Sequence, residues 1–242
     1  MRIMEKAEAV SRIAKNAALL IDEMATDSFL LNLGVGIPGA VADHITNPNI
    51  YIHAENGMIG VGPLATGDQI HPQLINASRQ PVTETPGCCY MDSALAFGLI
   101  RGGHVDASVL GAFQVDQEAN VANWIIPGGS MLGVGGAMDL TSAAKLLIIA
   151  MRHTGKDGPK LVPRCTLPIT AFGCVSYVVT EYGVFHFCEK KESGSPDSAL
   201  APEKPGKTLL LEKIAPDISL AELRALTGIP FTPADNLGQM VL

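Results

Sequence analysis

Residues 29–41 read FLLNLGVGIPGAV and residues 50–63 read IYIHAENGMIGVGP, two apolar runs that each break into glycine-rich turn chemistry. Phe29 to Leu33 and Ile50 to Ala54 have the length and the aliphatic content of buried strands. Pro38 to Ile45 reads as a helix carrying proline in its first turn, and Asn56-Gly57 forces the chain to turn directly after Glu55. The same alternation continues outward. Strand-like runs recur at Val105 to Ala112, Leu146 to Met151, Cys174 to Thr180 and Val184 to Phe187, with Thr208 to Leu211 reading as the last. Helical patterns lie between several of them, including Met91 to Arg101 with apolar Leu95, Phe97 and Leu99. Upstream, Ile3, Ala7, Val10, Ile13, Ala14, Ala17, Leu20 and Met24 fall at three- and four-residue steps, which predicts an opening amphipathic helix. Strands alternating with helices predict an α/β fold built on an open, mostly parallel sheet flanked by helices.

The 242 residues are read as one domain, 1–242. Residues 191–207, KESGSPDSALAPEKPGK, are rich in proline, serine and charge and read as an exposed loop. Beyond it, Ser219 and Glu222 form a capping box for a short helix closed by Gly228. With 47% hydrophobic and 17% charged residues, the chain has ample material for a core and no disorder signature. A net charge of −7 without a basic run excludes a phosphate-tracking groove for nucleic acid. The five cysteines show neither CxxC nor zinc-ligand spacing and read as reduced thiols. Charges scattered through the first 24 residues fit neither a signal peptide nor a membrane span, so a cytoplasmic location is expected.

Gly34, Gly36 and Gly39 match the spacing of a dinucleotide-binding turn. Pro38 weakens that reading because it removes one N–H from the turn that would face a pyrophosphate. Two readings remain beside it: a glycine turn needed for backbone angles alone, and a turn where ligand approaches the backbone with Asn32 supplying a polar contact. Glu55 stands at the carboxyl end of a strand, where ligands of open α/β sheets gather. It is either a surface residue beside an Asn-Gly turn or a partly buried reactive carboxylate. A third glycine cluster, Gly128, Gly129, Gly133, Gly135 and Gly136, offers backbone N–H groups to developing negative charge or is a plain loop. The six histidines are scattered singly and read as structural. No serine elbow is present and no cysteine has an assignable base, which leaves a carboxylate as the candidate nucleophile.

With these residues in place, the sequence resembles the β subunit of family I coenzyme A transferases, of the acetate or butyrate to acetoacetate (3-oxoacid) type. The matching stretches are NLGVGIP, AENGMIGVGP, GAFQVDQEANVANWIIPGG, GVGGAMDL, PRCTLPIT and APDISLAELRALTG, which cover nearly the whole chain. The resemblance implies that Glu55 is the glutamate acylated by coenzyme A and that the Gly136 N–H helps form an oxyanion hole. Asn32, Gly34, Gly36, Asn56, Gly57 and Gly135 are read as the residues that bind substrate or coenzyme A. Relatives often carry serine before the glutamate, where this chain has Ala54. Coenzyme A is implied as a substrate, with no cofactor or metal. The resemblance also implies an α subunit completing the site, most simply in an α2β2 heterotetramer, and acyl-CoA and carboxylic acids as partners.

Overall fold

The computed structural model describes residues 4–128, 133, 135–190 and 206–242. The chain opens with α1 (Lys6–Met24), whose Ala9, Ile13, Ala14, Ala17 and Ile21 are fully buried, in keeping with the sequence periodicity. The main sheet comprises β1 (Phe29–Leu33), β2 (Ile50–Ala54), β3 (Met58–Leu64), β4 (Val82–Tyr90), β5 (Ala107–Leu110), β6 (Leu146–Ala150), β7 (Tyr177–Val179), β8 (Gly183–Glu189), β9 (Lys207–Ile214) and β10 (Thr232–Gln239). Its order is β10-β9-β8-β7-β6-β5-β1-β2-β3-β4. The centre, β7-β6-β5-β1-β2, is parallel throughout. Antiparallel pairs extend it on both sides, and β10 adds a parallel edge. The sheet is therefore mixed, with the expected parallel body. Leu31, Val109, Ile148, Val178, Phe185 and Leu211 belong to one core, and Ala54, Met58, Val61 and Val82 form a smaller cluster at the β3–β4 arm.

Several expected boundaries are corrected. Pro38–His44 is a 3₁₀ helix, closed by Gly39 N–H to Gly36 O and Ala40 N–H to Ile37 O. A seven-residue segment holding both proline and glycine has little to gain from longer α-helical bonding. The helix expected from Met91 starts at Ser93, because Asp92 caps it by accepting the Leu95 N–H at 2.8 Å; this is α2 (Ser93–Arg101). The third helix, α3 (Ala137–Ala143), follows Gly136. Thr208 to Leu211 is not the last strand, since β10 follows the capped helix α4 (Leu220–Leu226). The residues of β10, TPADNLGQ, include a proline and a glycine, which an edge strand tolerates. Gly228 does not end α4 in a left-handed cap. It is required by packing, because its N–H donates to Leu161 O at 3.0 Å and an added Cβ would lie 2.5 Å from that oxygen. Of the loop expected at 191–207, residues 191–205 lie outside the described residues, and Lys207 belongs to β9.

The Ser219 capping box is present. Ser219 Oγ accepts the Glu222 N–H at 3.3 Å while Glu222 Oε2 accepts the Ser219 N–H at 2.9 Å. Ser219→Ala is expected to lower stability by about 1 kcal/mol. Urea denaturation measures this as a lower midpoint at unchanged slope, and an unaltered midpoint would show that the cap contributes nothing.

Candidate active site

Glu55 leaves the sheet at the carboxyl end of β2 and opens the turn to β3. The turn closes through the Gly57 N–H to Ala54 O at 3.0 Å, with Gly57 at φ +123°. Because Met91 N–H donates to Gly57 O at 2.9 Å, the turn is also fixed to the segment leading into α2. Glu55 is half-buried, and Asn32 on β1 is fully buried beneath it. Asn32 Nδ2 donates to Glu55 Oε2 at 3.1 Å. Oε2 is thereby tethered to the sheet. Asn32 and His53 are register partners on neighbouring parallel strands, and Asn32 Nδ2 also lies 3.2 Å from His53 O and 3.3 Å from His53 Nδ1. Burial holds the His53 imidazole below the usual histidine value, with the Glu55 charge opposing, so the ring is neutral at pH 7.

The last glycine of the third cluster, Gly136, comes close to Glu55. A Cβ placed on Gly136 would lie 3.7 Å from Glu55 Cγ and 3.3 Å from Cε1 and Cζ of Phe97, so the bare backbone faces the glutamate. Phe97 projects from α2. Arg101, one turn further on, places its guanidinium 5.5 Å from the Phe97 ring centroid and binds Asp139 of α3 bidentately at 2.8 and 3.2 Å. These contacts seat the start of α3 against Glu55. Gly135 precedes it at φ +53°, a left-handed conformation that favours glycine. Gly128 and Gly133 also have positive φ, while Gly129 lies outside the described residues.

The structure thus brings Asn32, Glu55 and Gly136 together. The other sequence candidates lie outside this set of contacts. Gly34 N–H donates to Val109 O at 2.9 Å, and an added Cβ would meet Leu110 Cδ2 at 2.9 Å, so this glycine lets β1 pack on β5. Gly36, at φ +85°, faces open space. Asn56 Nδ2 donates to Ile75 O at 2.8 Å and so braces the long β3–β4 connection. In the sequence Phe97 is only part of a helical pattern, and His53 is one of six scattered histidines. The available signal for His53 is its place near the end of a strand, two residues before the Glu55 turn.

Three of the five cysteines are disfavoured as nucleophiles. Burial pushes Cys165 up to about 12 and Cys174 up to about 11, and Cys88 is raised by its hydrogen bond to Glu84. Thiols so shifted carry almost no thiolate at neutral pH. A cleft of about 550 Å³ beside the β3–β4 arm is lined by His71, Val82, Glu84 and Tyr90, among others, and does not include Glu55. Among the described residues, no helix is long and apolar enough to cross a membrane.

Comparison with known proteins agrees with this geometry. A family model described as coenzyme A transferase matches residues 12–204. The acetate CoA-transferase subunit beta of Escherichia coli strain K12 is 42% identical over 232 residues, which cover 95% of this chain and 96% of that protein. The human mitochondrial succinyl-CoA:3-ketoacid coenzyme A transferase 2 is 37% identical over 96% of this chain, which spans 42% of that longer protein. Among solved structures, an acyl-CoA transferase apoenzyme from Escherichia coli O157:H7 superposes with a TM-score of 0.68 at 20% identity, over 100% of this chain and 45% of that one. Nearly complete alignment at such identity, over a site whose parts converge in space, places this chain in the coenzyme A transferase family.

Proposed function

We propose that this chain is the glutamate-bearing β subunit of an enzyme that moves coenzyme A between an acyl-CoA and a short-chain carboxylic or 3-oxo acid. The observation that carries the reading is the Asn32 to Glu55 hydrogen bond at 3.1 Å, with the Gly136 backbone close to the same side chain, where an added Cβ would lie 3.7 Å from Glu55 Cγ. Asn32 tethers Oε2, which leaves Oε1 as the attacking atom.

Oε1 adds to the thioester carbonyl of the acyl-CoA, and the resulting tetrahedral oxyanion collapses by expelling the CoA thiolate, leaving an acyl-glutamyl anhydride. The thiolate then adds to the Glu55 carbonyl carbon. Negative charge develops on Oε2 in that step, and the Asn32 N–H already points at it. Collapse releases the first carboxylate and leaves a glutamyl-CoA thioester. A second acid reverses the sequence and departs as its CoA ester. A carboxylate is a weak nucleophile, so prearranged donors such as Asn32 and the Gly136 N–H must carry much of the rate, each worth roughly 10² to 10³ in turnover. Keeping water out protects the thioester from hydrolysis.

The active enzyme is an assembly with an α subunit, most simply α2β2. Support comes from relatives that are themselves named beta subunits. It comes also from exposed apolar residues on segments that carry or lead to the site residues: Val35 after β1, Leu95 on α2, Ile126 before the glycine cluster and Met138 on α3. A second chain would cover them and close a dry site.

One experiment tests both parts. The isolated chain is expected to be nearly inert with acetoacetyl-CoA or butyryl-CoA. Co-expressed with an α subunit, it is expected to form a borohydride-reducible thioester at Glu55 from acyl-CoA alone. Turnover should follow ping-pong kinetics and require added carboxylate. Full activity in the isolated chain would refute the division of labour, and label at another residue would refute the nucleophile. Steady turnover without an acid acceptor would identify a thioester hydrolase instead.

A further inference from the structure

Two histidines are buried in this fold, and they are treated differently. His153 is fully buried and satisfied on both ring nitrogens, by Thr180 Oγ1 at 3.1 Å and Thr227 Oγ1 at 2.9 Å. His53 is 1% exposed, and its Nε2 has no hydrogen-bond partner. It sits in a row of polar side chains crossing three parallel strands, because Asn32 pairs in register with His53 on β2 and with Ser108 on β5. Asn32 Oδ1 and Ser108 Oγ are likewise buried without partners. An unsatisfied polar group in a core lowers stability, so a leucine at position 53 would suit the fold better than the imidazole does.

The contact that the imidazole does make leads to Glu55. Asn32 Nδ2 carries two hydrogens and is surrounded by three acceptors: Glu55 Oε2 at 3.1 Å, His53 O at 3.2 Å and His53 Nδ1 at 3.3 Å. Two of the three belong to His53. With Nδ1 bare and the ring hydrogen on Nε2, all three attract the amide nitrogen and none favours the flipped carboxamide, which would set Oδ1 against the Glu55 carboxylate.

We propose that His53 is a positioning residue for transfer, whose bare Nδ1 holds the Asn32 carboxamide with its N–H toward Glu55. The inference rests on the assignment of Glu55 as nucleophile. It makes the orphaned Nε2 a stability cost retained for the sake of the site, in the manner of a stability and activity trade-off. The neutral state of the ring at pH 7 agrees with this.

The test uses the assembled enzyme, after wild type has been shown to form the thioester at Glu55; absence of that thioester refutes the nucleophile assignment and not the role of His53. Three variants are compared by single-turnover acylation, by the kcat against KM split and by thermal unfolding. His53→Leu removes both the acceptor and the orphan. His53→Gln keeps polarity but moves the acceptor outward, and His53→Asn returns an acceptor near the Nδ1 position. Leu and Gln variants are expected to acylate about 10²-fold more slowly with KM little changed, the size of effect that follows from misplacing a reacting group. The Asn variant is expected to recover most of the rate. The Leu variant is expected to melt at or above the wild-type temperature. Wild-type acylation in the Leu and Gln variants would overturn the proposal. So would an Asn variant as slow as Leu, or activity losses that simply follow losses of thermal stability.

Discussion

Glu55→Gln is expected to lower transfer by roughly 10⁴-fold or more, the scale on which loss of a covalent nucleophile is felt. The substitution keeps the volume, and a glutamine Oε1 can still accept the Asn32 N–H, so the turn between β2 and β3 retains its tether. What is lost is the attacking oxygen, since an amide nitrogen does not form the anhydride. Circular dichroism and the thermal midpoint should match wild type. Mass spectrometry after incubation with acyl-CoA and borohydride should find no label. A folded variant turning over within tenfold of wild type would remove Glu55 from the chemistry.

Gly57→Ala is expected to be among the most damaging single substitutions to the fold outside the core. An alanine Cβ there would lie 2.1 Å from the carbonyl oxygen of Met91, and φ is +123°, which L residues rarely adopt. The obstacle is backbone and cannot rotate away, so either the β2–β3 turn or the start of α2 must move. The cost should be roughly 3 kcal/mol or more, which for a chain of this size lowers the melting temperature by about 10 °C. Gly67→Ala is the control. Gly67 also has positive φ, at +55°, but its Cβ would meet nothing within 4 Å, so a loss of only about 1 kcal/mol is expected. Equal melting temperatures for the two variants would show that the close approach to Met91 is not confining the turn.

The parallel centre of the sheet was legible in the sequence because its strands are short, aliphatic and closed by turn residues. Phe29–Leu33 and Ile50–Ala54 appear in the structure at the expected bounds. The antiparallel arm β3–β4 was not foreseen. Its sequence carries the signals of turns, yet Gly60 takes φ +86° at a register shift and leaves room for Cys88 and Thr85, while Pro86 is tolerated at the sheet edge. β10 was missed for the same reason. In the site, the position of Glu55 could be read from strand followed by turn. Asn32 and Gly136 could be named as candidates, but their meeting with Glu55 and the part played by Phe97 could not, because these residues come from separate segments and meet only through strand register and helix packing. His53 escaped notice because a solitary histidine in an apolar run looks the same whether its ring is satisfied or not.

The two prolines that concealed the edge strands from sequence reading have a further consequence. Pro86 lies on β4 and Pro233 on β10, the strands at the two ends of the ten-stranded sheet. A sheet edge presents unpaired N–H and C=O groups on which another chain can build, the first step toward fibrous aggregation. Proline withdraws a donor from that template, and the register shifts within both outer ladders bend the edge away from a flat, extendable form. A second copy therefore finds little at either sheet end on which to build.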